Sequence, residues 1–194
     1  MELTERLYRV LLVSATQKMT DALLPLLHSC RCDPVIIEAD AASARRQLLE
    51  SAFDVVIINT PMPDEFGTKL ALDIVNDSGT GVMLLVKAEH FPDISMKLSP
   101  LGVLVLSKPT SPAIVTQSLT LLCATRERLR RMEQKTATME EKMEEIRLVN
   151  RAKWLLVDQL KMKEPDAHRY IQKTAMDRGL SRRVVAENII RMYS

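Results

Sequence analysis

The sequence predicts an α/β fold class: a doubly wound domain with a five-stranded parallel sheet, then a long helix and a small all-helical end. Three patterns predict it. Five short apolar runs alternate with helical patterns over the first 111 residues. A stretch free of glycine and proline between Pro112 and Pro165 repeats apolar residues at spacings of three and four. Two further helical segments with apolar faces, punctuated by Pro165 and Gly179, close the chain.

The strands are read in order. Arg9 to Val13 is a β-branched apolar run, followed by a helical pattern through Leu23, Leu24, Leu26 and Leu27. Val35 to Ile37 is the second strand and Ala41 to Ser51 the second helix. Asp54 to Ile58 forms a third strand ending at Asn59, and the turn formers from Thr60 to Gly67 lead into a helix over Lys69 to Val75. Val82 to Val86 and Val103 to Leu106 supply two more strands. Continuous apolar runs suit parallel strands covered on both faces, and in such sheets ligands and chemistry belong at the carboxyl ends of the strands.

Composition narrows the functional classes. The chain has 194 residues, enough for one ordinary domain and a smaller appendage. Hydrophobic residues at 46% and charged residues at 27% argue against disorder and against a membrane protein. Met1 to Arg6 lacks the basic-then-apolar order of a secretion signal, so a cytoplasmic protein is expected. Cys30, Cys32 and Cys123, with only three His, offer neither a disulfide framework nor a zinc site and read as reduced filler thiols. No Gly-rich phosphate loop, HExxH or GxSxG pattern is present, so no enzyme, cofactor or metal is expected.

From about residue 7 to 120 the sequence resembles a response-regulator receiver domain, on Asp54-Val55-Val56-Ile57-Ile58-Asn59, the Pro63 and Gly67 that follow, and Lys108-Pro109 after the last strand. The resemblance implies a phosphate-accepting Asp ending the third strand, an acidic pair holding Mg²⁺ after the first, a hydroxyl residue ending the fourth and a Lys ending the fifth. Those positions fall on Asn59, on Ser14 and Ala15, on Lys87 and on Lys108, and only Lys108 keeps its type. An amide is no nucleophile for phosphoryl transfer and a hard cation requires carboxylates, so a pseudo-receiver indifferent to phosphorylation is expected. Asn59 and Lys108 could instead hold a small anion, or Asn59 could serve as a structural hydrogen-bonding group. Asp64 and Glu65 read as a solvated turn rather than an acid–base pair.

Beyond Ser111-Pro112, a three-and-four spacing picks out Leu122, Thr125, Leu129, Met132, Thr136, Met139, Met143, Ile146 and Asn150 as a heptad seam flanked by charge. A helix over 112–150 would be on the order of 57 Å long, and its stripe would be wet unless a second copy covered it. A homodimer through this seam is expected, with Asn150 setting register; a helix folded back on its own receiver is the alternative. The expected domains are 1–111, 112–149 and 150–194.

Charge is uneven. Residues 1–149 carry 17 basic and 20 acidic side chains, a net of −3, whereas 150–194 carry 10 and 5, a net of +5. Such asymmetry hints at a polyanionic partner. The seam helix is expected to run on through Leu160, a second helix from Pro165 to Met176, and a third after Ser181, with Leu156, Leu160, Ile171, Met176, Leu180, Val185, Ile189 and Trp154 as their core. From about Ile146 to Met192 this segment resembles the ANTAR domain of transcription antitermination regulators. The resemblance lies in Ala152-Lys153 with Leu155-Leu156, in Glu164-Pro165-Asp166-Ala167, in Arg169 through Met176, and in Val185-Ala186-Glu187-Asn188-Ile189-Ile190. Trp154 departs from the Gly common at that position.

The resemblance implies binding to RNA stem-loops in a nascent leader transcript, typically two neighbouring hairpins gripped by a dimer, and a regulatory protein partner as the route of control. Lys153, Arg169, Tyr170 and Lys173, with Arg182, are the expected RNA face, Tyr170 either stacking on an unpaired base or packing inward. Ala152 and Ala175 would permit either close approach of RNA or close helix packing. The alternative is a DNA-binding factor whose last helix, led by Arg182 and Arg183, enters a major groove as a helix-turn-helix.

Overall fold

A computed structural model describes residues 6–193. Met1 to Glu5, on which part of the expectation about secretion rests, lies outside them. The strands are β1 (Tyr8–Val13), β2 (Cys32–Glu38), β3 (Val55–Asn59), β4 (Gly81–Lys87) and β5 (Val103–Lys108). They form one parallel sheet in the order β2-β1-β3-β4-β5. β2 starts three residues earlier than expected and includes Pro34, which an edge strand tolerates because one side of its ladder is unpaired.

Alternate strand residues enter two cores, which is why the runs are continuously apolar. Leu11, Val13, Val56, Ile58, Val82 and Leu84 face helices α2 (Ala41–Glu50), α3 (Thr68–Asp77) and α4 (Phe91–Leu98). Val10, Leu12, Val55, Ile57, Met83 and Leu85 face α1 (Gln17–Ser29) and the start of α5 (Pro112–Leu160). Helix α4 was not legible in the sequence. It spans eight residues between two short 3-10 turns, carries Pro92 in its first turn and buries only Leu98, too little for a periodicity to show.

Helix α5 is one helix of 49 residues, on the order of 73 Å at ~1.5 Å rise. Its first turns bury Val115, Leu119, Leu122 and Cys123 against the sheet. This corrects Leu122, expected on the dimer seam: it packs inside its own domain. The approach is close, since a Cβ built on Gly81 would lie 2.8 Å from Leu122 Cγ. From Leu129 the seam residues Met132, Met139, Met143, Ile146 and Asn150 are exposed. One compact unit ends at Arg131 and a second begins at Met132, a single division inside α5. No helix among the described residues is long and apolar enough to cross a membrane.

In the second unit the end of α5 packs with α6 (Glu164–Arg178) and α7 (Arg182–Tyr193). Gly179 ends α6 in the left-handed conformation at φ +61°, and the Ser181 hydroxyl accepts from the Val184 amide at 3.3 Å, opening α7. The core consists of Ala152, Leu156, Ala167, Ile171, Ala175, Val185, Ala186 and Ile189. Four of the expected core residues are instead exposed: Leu160, Met176 (82%), Leu180 and Trp154 (71%). The alanines explain this. Small side chains let the helices approach until little room remains, and Trp154, two positions from both Ala152 and Leu156, falls on the opposite face of α5.

Candidate nucleic-acid interface and acceptor pocket

The carboxyl ends of β1, β3 and β5 bring Ser14, Asn59 and Lys108 together. Asn59 is buried and donates through Nδ2 to Ser14 Oγ at 3.1 Å, while Lys108 Nζ donates to Asn59 Oδ1 at 2.6 Å and also to the Thr60 carbonyl. Thr60, itself buried, is fixed by its hydroxyl and amide, both donating to the Leu85 carbonyl. Burial, and then the charge of Lys87, hold the Lys108 ammonium below its ordinary range. Lys87 pairs with Lys108 in the β4–β5 register, yet its side chain is exposed and meets Glu89 at 3.7 Å. Ala15 is exposed and offers no ligand atom.

The pocket does not fit the Mg²⁺ of a working receiver. No carboxylate stands at the three acidic positions, and the ammonium of Lys108 rests on the one amide oxygen that could face a cation. Asn59 and Lys108, the donors considered for a small anion, are each engaged within the protein, Asn59 serving as a hydrogen-bonding link between Ser14 and Lys108.

Asp64 and Glu65 are more than a solvated turn. The Asp64 carboxylate accepts from the amides of Ala41 and Ala42 at 3.0 and 2.9 Å, at the amino end of α2. Those backbone donors, Ala41 first, hold its carboxyl below the usual carboxylate range. Glu65 accepts from the Leu70 amide and pairs with Arg45 at 3.0 Å. Nothing in the sequence signalled either bond, because both partners of each are far apart or in backbone. The three cysteines are free, and the buried Cys32 thiol is pushed up by its hydrogen-bonded neighbour Cys123 and by burial, which makes it a poor nucleophile.

On the second unit the expected RNA residues separate. Ala152 is fully buried, so it packs helices and presents no surface, and Ala175 does the same. Lys153 pairs with Glu164 at 3.1 Å, Arg169 with Asp166 at 3.8 Å and Arg182 with Glu145 at 3.0 Å. Tyr170 is 47% exposed. Lys173 is exposed and, among the described residues, has no ion-pair partner. Arg178 shares that condition and was not singled out by the sequence reading. A cation lacking a carboxylate neighbour has more attraction left for phosphate, but that neighbour can only be found in three dimensions.

The comparisons follow this division. A family model described as the ANTAR domain matches residues 137–190. The transcriptional regulatory protein PdtaR of Mycobacterium tuberculosis, in strains CDC 1551 / Oshkosh and H37Rv, is 29% identical over 137 residues, 71% of this chain and 67% of PdtaR. Among solved structures, the signal receiver domain of an HD domain-containing protein from Pseudomonas fluorescens Pf-5 superposes with a TM-score of 0.58 at 21% identity, covering 68% of this chain and 96% of that one. The CheY-like receiver domain protein from Methanospirillum hungatei JF-1 gives 0.57 at 18% identity, covering 63% and 98%. These likenesses carry the fold of the first unit. The chain thus joins a receiver-like domain to an ANTAR domain, matching the PdtaR-type ANTAR response regulators.

Proposed function

We propose that the protein is a dimeric transcription antitermination regulator that binds RNA stem-loops in nascent leader transcripts and so prevents terminator formation. The observation that carries this reading is the ANTAR match over a three-helix unit in which Lys173 and Arg178, among the described residues, have no carboxylate partner. Lys173 and Tyr170 supply the RNA face, with Arg169, Lys153 and Arg182 available once their ion pairs yield to phosphate. The exposed stripe from Leu129 through Ile146 supports pairing with a second copy, because a lone helix would leave that stripe in water. The receiver-like unit acts without phosphorylation, as a docking platform for a regulatory protein, since its acceptor position is an amide already bonded to Ser14 and Lys108. The DNA reading, with Arg182 and Arg183 leading a recognition helix, is the weaker one because the ANTAR match favours RNA.

The test is mobility-shift binding of the full chain to a tandem-hairpin leader RNA and to the matching duplex DNA, with the double variant Leu129→Lys, Ile146→Lys alongside. Preferential RNA binding that weakens with salt, and a variant that sediments as a monomer and binds the tandem RNA more weakly, are expected. Equal binding to both nucleic acids, or preference for the duplex, would overturn the RNA reading. A variant that stays dimeric would move the interface away from the seam.

A further inference from the structure

A cavity of about 100 Å³ opens on the ANTAR unit between α5, α6 and α7. Leu156 and Ile189, both buried, line it together with Tyr170 and Arg178 of α6 and Asn188 and Tyr193 of α7. Tyr170 and Arg178 are eight positions apart and therefore share one face of α6, the ring nearer its start and the guanidinium at its end. Among the described residues, neither phenol, nor the Asn188 amide, nor the Arg178 guanidinium has a hydrogen-bond or ion-pair partner. Around an apolar lining, then, stand an aromatic ring, a group able to donate and accept together, and a cation.

That combination selects for shape and polarity at once. An aliphatic side chain from a partner protein would satisfy the apolar lining and leave the amide and guanidinium unanswered. A free phosphate would answer the guanidinium and waste the rings. A flat group with two apolar faces, a hydrogen-bonding edge and a negative charge attached meets all three, and an unpaired nucleotide is such a group. The opening is too small for a helix or a stacked pair, so it takes one base.

We infer that this cavity receives one unpaired base of the RNA loop, with Tyr170 as its stacking platform, Asn188 meeting its edge and Arg178 holding the adjoining phosphate. The inference rests on the RNA reading above and adds to it a place where loop sequence is read. Lys173 and the paired cations outside the cavity then hold the backbone, contacts that carry no sequence information.

The experiment uses the full chain and hairpin RNAs with randomised loops. The tightest binder is selected, and each of its loop nucleotides is replaced in turn by an abasic one. One position is expected to lose about tenfold in affinity, and Tyr170→Ala and Asn188→Ala to lose a similar factor on the intact RNA. On the RNA abasic at that position neither variant should lose more, while Tyr170→Phe, which keeps the ring, should bind as the native chain does. Should Tyr170→Ala fail to fold by circular dichroism, Asn188→Ala, on an exposed position, carries the comparison. A flat abasic scan, or variant losses that add to the abasic loss, would overturn the base pocket and leave RNA binding standing. Failure of the native chain to bind any hairpin would overturn both.

Discussion

In the receiver-like unit, Ser14 and Lys108 both bond Asn59, whereas in the ANTAR unit Lys173, Arg178 and Asn188 have no hydrogen-bond or ion-pair partner among the described residues. The cores differ as well. The first is filled by large aliphatic residues on both sides of a sheet, and the second by four alanines with Leu156, Ile171, Val185 and Ile189. The difference is between polar groups that satisfy one another inside a core and polar groups left open at a surface. A sheet sandwiched by helices has room to bury its polar cluster and satisfy it, while closely packed helices turn Trp154, Tyr170 and Met176 outward.

The contrast can be broken most forcefully at Leu156, which is 1% exposed. Leu156→Ala is expected to destabilise the ANTAR unit by about 2 to 5 kcal/mol, because alanine neighbours cannot reach into the void. Hydrogen exchange should lose protection over α6 and α7 and keep it over β1 to β5. Equal loss in both units would mean that they unfold as one. A smaller effect is expected at the acceptor pocket. Lys108→Met removes the donor to Asn59 Oδ1 and the Thr60 carbonyl and should cost about 1 to 3 kcal/mol in the receiver-like unit, leaving RNA affinity unchanged. An unaltered melting transition would show that those acceptors find water instead.

The smallest effect concerns Asp64, whose carboxyl is held below its usual range by the amides of α2. A depressed carboxyl contributes stability above its unfolded value and loses it as the pH falls through the folded one. Asp64→Asn should therefore melt at a lower temperature than the native chain near neutral pH, and the gap should close on acidification. A gap that persists at low pH would assign the loss to shape and not to charge.

Much of the fold was legible because its causes are local. Continuous β-branched runs announced β1, β3, β4 and β5, and Pro112, Pro165, Gly179 and Ser181 marked the helix ends. Helix α4 escaped because eight residues with one buried side chain leave no periodic trace. The heptad spacing picked out the exposed stripe from Leu129 to Ile146, yet it also included the buried Leu122, since periodicity states that a face is apolar and not what covers it. The same limit explains the C-terminal core, where large side chains were assigned inward although alanines occupy the interior. Of the candidate site, residue types at the acceptor pocket could be read from position, and so could the Asp166–Arg169 pair three residues apart on α6, but the pairing of Lys153 and Arg182 depends on Glu164 and Glu145 arriving from other helices.

Leu122 occupies the space that any side chain at Gly81 would claim, so the absent methyl works as a keyway for the start of α5. A methyl placed there would act as a wedge under the rod, tilting its root away from the sheet without touching a single polar group. The seating of the longest helix in the molecule thus depends on the one atom its smallest residue lacks.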